Sequence, residues 1–115
     1  MTDDTPELDV RQHGGVLRLT IQREARRNAI SPAVLKGLSE ALTAANADRG
    51  VRAIVLTGAG EKAFCAGADL QSGQSFKFDY SEPTQGFANL FRLTRQLNVP
   101  LIARVNGACM AGGMG

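Results

Sequence analysis

Apolar and polar residues alternate near the start of the chain. From Leu8 to Gln22 the apolar positions recur at every second residue on both sides of Gly14-Gly15. Since alternate side chains of a strand point to one face, a period of two around a glycine pair is typical of a β-hairpin. We therefore predict a hairpin here, with a disordered N-terminal tail over residues 1–7 and a core domain over residues 8–115.

The period changes to that of a helix after Ser31-Pro32. Serine is a favoured N-cap residue, and proline is well tolerated at the first helical position. The apolar residues that follow share one helical face: Val34, Leu35, Leu38, Ala41, Leu42 and Ala45. This pattern predicts an amphipathic helix that ends near Gly50.

Two short apolar runs, residues 53–57 and 101–105, are typical of strands buried on both faces. A strand that follows an amphipathic helix indicates a β-α-β crossover, so the predicted fold class is α/β. A second helix is predicted between the two runs and ends before Pro100. Its apolar positions are Phe87, Leu90, Phe91, Thr94 and Leu97.

Composition and charge exclude several classes of protein. The 13 basic and 11 acidic residues give a formal charge of +2. Because this charge is too small to create the strong positive field that binds nucleic acid, we expect no nucleic-acid partner. The acidic start lacks the pattern of a secretory signal, and no apolar run approaches the roughly 20 residues of a membrane span. We expect a cytoplasmic protein without membrane contact. Cys65 and Cys109 are too few for a disulfide framework and are expected to be reduced and buried.

Several candidate chemistries find little support in the sequence. His13 is the only histidine and lies at the predicted turn, which disfavours a metal site or a Ser-His-Asp arrangement. Cys65 has no neighbouring basic residue to lower its pKa, so a buried spacer is favoured over a nucleophile. Gly58-Ala59-Gly60 partly matches a dinucleotide-binding fingerprint, but no helical pattern follows it.

Small residues form two loops that follow predicted strands, Ala66-Gly67-Ala68-Asp69 and Ala111-Gly112-Gly113. Small side chains let a ligand reach the backbone, and N–H groups of such turns can converge on a developing negative charge. The alternative is that the glycines only permit tight turns between elements. Composition leaves both interpretations open.

At these residues the sequence resembles the crotonase superfamily, the enoyl-CoA hydratase/isomerase family. The resemblance rests on motifs in the family's order and spacing: Arg27-Asn28-Ala29-Ile30, residues 53–58, residues 62–70, and Val105-Asn106-Gly107-Ala108 leading to Gly113. It implies an α/β spiral of ββα units. It also implies that the sequence is the N-terminal portion of that fold, truncated about halfway.

The family binds acyl-CoA thioesters and stabilises an enolate with two backbone N–H groups, which the resemblance places at Ala68 and Gly112. The implied substrate-binding residues are Arg26, Ala66, Gly67, Ala68, Asp69, Leu70 and Gly112. Arg26 and Arg27 lie where the family contacts the coenzyme A phosphates, although arginine there is as readily an ordinary solvated charge. No metal and no separate cofactor are implied, because coenzyme A is part of the substrate. The expected assembly is a homotrimer or a dimer of trimers.

One position departs from the family's pattern. Hydratases of the family carry a glutamate two positions after the glycine pair, where this sequence has Gly115. Because glycine cannot transfer a proton, an isomerase or another enolate reaction fits at least as well as hydration. We expect the 115 residues alone to be inactive. The alternative function is a non-catalytic acyl-CoA-binding or assembly module with the same fold.

Overall fold

Strands and helices alternate along the chain in a computed structural model that describes residues 6–67 and 86–110. The elements are β1 (Leu8–His13), β2 (Val16–Ile21), a short 3-10 helix (Glu24–Arg26), α1 (Pro32–Ala47), β3 (Ala53–Gly58), β4 (Ala63–Cys65), α2 (Gly86–Arg95), β5 (Leu101–Arg104) and β6 (Ala108–Cys109). Ahead of β1, the Glu7 carbonyl accepts a hydrogen bond from the Gln22 N–H at 2.8 Å. Residues 1–5 lie outside the described part, so the boundary of the tail stays a prediction.

The main sheet has four strands in the order β1-β2-β3-β5. β1 and β2 are antiparallel, and His13 faces Val16 where the hairpin closes. Gly14 has a φ of 58° in this turn, a conformation that glycine adopts without steric cost. β2 pairs with β3, and β3 with β5, in parallel. The predicted hairpin and the predicted β-α-β crossover are confirmed.

Both predicted helices are present, and they pack against each other on the sheet. The Ser31 Oγ accepts a hydrogen bond from the Val34 N–H at 3.2 Å, as an N-cap residue does. The core lies between the helices and the sheet, and its most buried members include Leu19, Val34 and Ile54. Within the described ranges, neither helix has the length and apolar character needed to cross a bilayer.

The prediction that residues 101–105 form a buried strand is wrong in its burial. The strand exists as β5, but Ile102 is 49% exposed and Val105, just after the strand, is 58% exposed. The physical reason is the strand order, which places β5 at the end of the sheet that the described residues build. An apolar run indicates a strand equally well at the edge and at the centre of a sheet, so the pattern could not reveal this position.

A second, two-stranded sheet joins β4 to β6 in parallel. Ala63 lies opposite Ala108, and Cys65 lies opposite Cys109, with an irregularity between the two pairs. Strands of only two or three residues are too short to show a hydrophobic period, so sequence reasoning did not find them. The strands of this small sheet directly precede the two small-residue loops of the sequence.

Candidate functional site

The pairing of β4 with β6 brings together the two strands that precede the small-residue loops of the sequence. β4 leads into Ala66 and Gly67, whereas β6 leads into Met110. The Met110 N–H donates a hydrogen bond to the Cys65 carbonyl at 3.0 Å. Because neighbouring parallel strands lie about 4.8 Å apart and run in one direction, Ala66 after β4 and Met110 after β6 lie at the same end of the small sheet.

Three of the predicted site residues fall in the described part of the chain. Ala66 is half-buried, and Gly67 is buried with a φ of 97°, where a side chain would be strained. The Gly67 carbonyl accepts a hydrogen bond from the Ile30 N–H at 2.7 Å. Arg26 ends the 3-10 helix and is exposed. The remaining predicted site residues lie outside the described residues: Ala68, Asp69, Leu70 and Gly112.

Asn28 ties the turn after β2 to the loop between β3 and β4. Its side chain is 1% exposed, and its backbone is left-handed with a φ of 56°. The Nδ2 group donates to the carbonyls of Ala59 at 3.0 Å and Ala63 at 2.8 Å, while Oδ1 accepts from the Arg23 N–H at 2.9 Å. The amide therefore fixes both ends of the loop that leads into β4. Sequence reasoning used Asn28 as a motif residue but missed this role.

Asn106 holds the same loop from the other side. Its Oδ1 accepts from the Gly58 N–H at 3.1 Å, and its Nδ2 donates to the carbonyls of Gly60 at 2.8 Å and Ala63 at 3.1 Å. A carbonyl oxygen has two lone pairs, so Ala63 can accept from both asparagines. The start of β4 is thereby fixed relative to β3 and to the segment before β6.

A groove of about 520 Å³ lies between the turn after β2 and the loop that precedes β4. Its charged wall residues, all exposed, are Glu24, Arg27, Glu61 and Lys62. Two cationic groups on opposite walls suit an anion, and the two carboxylates limit how strongly a simple anion is held. Sequence reasoning placed Arg27 near a phosphate but gave no role to Lys62, because their proximity depends on the loop conformation.

Cys65 sits at the end of β4 and lines an apolar cavity of about 100 Å³ between the sheet, α1 and α2. Burial raises the pKa of its thiol, a hydrogen bond from the backbone of Gly67 opposes that shift, and the neighbouring Cys109 adds to it. A raised pKa keeps the thiol neutral and weakly nucleophilic, which agrees with the predicted buried spacer. Both cysteines are free thiols, but Cys109 is only partly buried.

The strand order of the main sheet and the pairing of β4 with β6 belong to an α/β fold of the crotonase type. The sequence profile of the enoyl-CoA hydratase/isomerase family matches residues 11–115, and the chain belongs to that family. The chain is 36% identical over 110 residues to a probable enoyl-CoA hydratase, echA6, of Mycobacterium leprae. It is 39% identical over 108 residues to the probable enoyl-CoA hydratase echA14 of Mycobacterium tuberculosis. The two alignments each cover 93% of this chain, but only 42% and 41% of those relatives.

Solved structures show the same relationship. The crystal structure of an enoyl-CoA hydratase from Bacillus anthracis matches with a TM-score of 0.81 and 34% identity, over 93% of this chain and 42% of that one. A carnitinyl-CoA dehydratase from Mycobacterium avium matches with a TM-score of 0.75 and 39% identity, over 95% of this chain and 41% of that one. The predicted family and fold class are confirmed, and the chain spans about two fifths of the length of these relatives.

Proposed function

We propose that this chain supplies the enolate-stabilising part of an acyl-CoA enzyme of the hydratase/isomerase type. The backbone N–H groups of Ala68 and Gly112 are the proposed oxyanion donors. The observation that carries the proposal is the parallel pairing of β4 with β6, next to which the Met110 N–H donates a hydrogen bond to the Cys65 carbonyl at 3.0 Å. It supports the proposal because the residues that directly follow the two strands, Ala66 and Met110, leave the small sheet side by side and in one direction.

The chemistry explains why small residues suit these positions. When a proton leaves the carbon next to a thioester, the carbonyl oxygen gains nearly a full negative charge. Fixed N–H dipoles in a dry pocket stabilise that charge without reorganising, and each is worth on the order of 3 kcal/mol of barrier. Alanine and glycine leave the N–H accessible to the substrate oxygen.

The charged groove is the proposed site for the phosphate-bearing end of coenzyme A. Arg27 and Lys62 line it, and Arg26 precedes Arg27 on the same turn. Guanidinium and ammonium groups form charge-assisted hydrogen bonds with phosphate oxygens. Ala66, Gly67, Asp69 and Leu70 are the remaining proposed substrate-binding residues. Glu24 and Glu61 favour a ligand that also presents hydrogen-bond donors, as a nucleotide does.

The test uses the full-length protein with crotonyl-CoA and with a 3-enoyl-CoA. A fall in the ultraviolet absorbance of the conjugated thioester reports hydration, and a rise reports isomerisation. Gly112→Pro removes one donor and is expected to lower kcat by roughly 10²- to 10³-fold, whereas Gly112→Ala keeps the N–H. Circular dichroism checks that both variants fold. Equal turnover by the two folded variants would remove Gly112 from the proposed oxyanion hole.

A non-catalytic acyl-CoA-binding or assembly module is the second candidate, and the observation that favours it is Gly115 in place of the family's glutamate. Calorimetry with a saturated acyl-CoA separates the two functions. Binding without turnover of either enoyl-CoA supports the module, and binding with turnover supports the enzyme. Sedimentation of the full-length protein tests the proposed trimer or dimer of trimers.

A further inference from the structure

Residues 28–30 form hydrogen bonds to the first residue of β4 and to the second residue after its end. The Asn28 side chain donates to the Ala63 carbonyl at 2.8 Å, where β4 begins. The Ile30 N–H donates to the Gly67 carbonyl at 2.7 Å, beyond the end of the strand. Asn28 is 1% exposed and Ile30 is 6% exposed, so water does not compete strongly for either bond. This segment therefore sets where β4 starts and how the loop leaves it.

The second of these bonds acts on one particular peptide group. The carbonyl of Gly67 and the N–H of Ala68 belong to the same peptide unit, which is planar. In a trans peptide the N–H points opposite to the C=O, so anchoring the carbonyl also fixes the direction of the N–H. Glycine at a φ of 97° has wide conformational freedom, and the bond from Ile30 restricts it. Hydrogen bonding to the carbonyl also polarises the peptide and strengthens its N–H as a donor.

We propose that Ile30 is a positioning residue for the oxyanion hole, acting through its backbone N–H on the Gly67–Ala68 peptide, in a segment that Asn28 anchors to the start of β4. The inference rests on the proposed function, because it assigns Ala68 as an oxyanion donor. It adds to that function that the direction of the Ala68 N–H depends on residues 28–30, which precede α1. Neither residue is proposed to touch the substrate.

The sharpest variant replaces Ile30 by its α-hydroxy analogue in the full-length protein, so that an ester oxygen stands where the N–H was. The side chain and the chain length stay the same. The matched control is the same replacement at Ile54, a fully buried isoleucine whose N–H donates to the Pro100 carbonyl at 2.9 Å. The two esters each remove one buried backbone donor, but the second lies in β3, where no proposed substrate contact is made.

We expect the ester at Ile30 to lower kcat for an enoyl-CoA about tenfold with KM changed less than about threefold, since the lost interaction acts in the transition state. The carbonyl stretching frequency of a bound acyl-CoA should also return toward its value in solution. The ester at Ile54 should change kcat by less than about twofold. It should leave the carbonyl stretching frequency of the bound acyl-CoA unchanged within experimental error. Equal effects of the two esters on kcat and frequency would overturn the inference.

A second measurement needs no variant and covers the case in which the ester at Ile30 fails to fold. Because bonds in a chain polarise one another, acyl-CoA binding at Ala68 should strengthen the Ile30–Gly67 bond and move the Ile30 amide proton downfield in NMR spectra. The Ile54 amide proton should not move. If the protein turns over enoyl-CoA but the chemical shift of the Ile30 amide proton does not change on binding, the inference is overturned and the proposed function stands. A wild-type protein that neither binds nor turns over acyl-CoA overturns the proposed function, and the inference with it.

Discussion

Asn28 and Asn106 donate their side-chain amides to the same acceptor, the carbonyl oxygen of Ala63, at 2.8 and 3.1 Å. Asn28 reaches it from the turn after β2, and Asn106 reaches it from the segment between β5 and β6. Through this shared acceptor, the start of β4 is held both by the turn after β2 and by the segment between β5 and β6. Loss of either amide should therefore disturb more than one local bond.

Replacing Asn28 by alanine should lower the free energy of unfolding by about 2–4 kcal/mol. The carbonyls of Ala59 and Ala63 and the N–H of Arg23 would each lose a partner in a site that water reaches poorly. Alanine at a φ of 56° adds about 1 kcal/mol of backbone strain. Urea denaturation of the full-length protein measures the change.

Asn46 offers a matched control for that variant. Its amide also bridges two backbone groups, donating to the Gln96 carbonyl at 3.1 Å and accepting from the Asn98 N–H at 2.9 Å, but it is exposed. Water can replace those bonds, so Asn46→Ala should cost about 0.5–1 kcal/mol. Similar losses in the two variants would contradict the importance of burial at Asn28.

Gly58→Ala should destabilise the protein by about 3 kcal/mol or more, because a well-packed site has no room for an extra atom. A Cβ atom at Gly58 would collide with the Phe64 carbonyl, and it would lie 2.7 Å from Asn28 Nδ2 and 2.9 Å from the Ala63 carbonyl. Gly14→Ala is the control, since a Cβ there meets nothing within 4 Å and only the φ of 58° is unfavourable. That strain costs about 1 kcal/mol. In thermal unfolding, Gly58→Ala should lower the melting temperature more than Gly14→Ala does.

Ser31→Ala should cost about 1 kcal/mol of stability through the lost N-cap of α1. The hydroxyl accepts from the Val34 N–H at 3.2 Å and donates to Glu7 Oε2 at 3.1 Å. Ser39→Ala makes the same chemical change in the middle of α1, where the hydroxyl donates to the Leu35 carbonyl at 2.9 Å. Because alanine has the higher helix propensity, that control should be neutral within about 0.5 kcal/mol. A larger loss at Ser39 than at Ser31 in urea denaturation would reject the capping role.

Periodic segments and the two small-residue loops were predictable from the sequence, but the short strands β4 and β6 and the hydrogen bonds that hold them were not. The hairpin and α1 follow from the alternation around Gly14 and from the cap at Ser31, which are local features. The burial of β5 depends on its position in the strand order, which an apolar run does not encode. The role of Asn28 depends on acceptors at Ala59 and Ala63, whose placement follows from long-range packing. The family motifs marked Asn28 in advance but did not indicate which groups it binds.

Cys65 should give the protein a stability that falls at alkaline pH. Burial raises the pKa of its thiol above the unfolded value, so the folded state holds the proton more tightly than the unfolded state does. This contribution is fully present below the unfolded pKa and is lost as the pH rises through the raised folded pKa. The difference in unfolding free energy between wild type and Cys65→Ala should therefore shrink as the pH rises through that window. In urea denaturation series across that pH range, parallel profiles of the two proteins would show that Cys65 ionises as readily in the folded state as in the unfolded state.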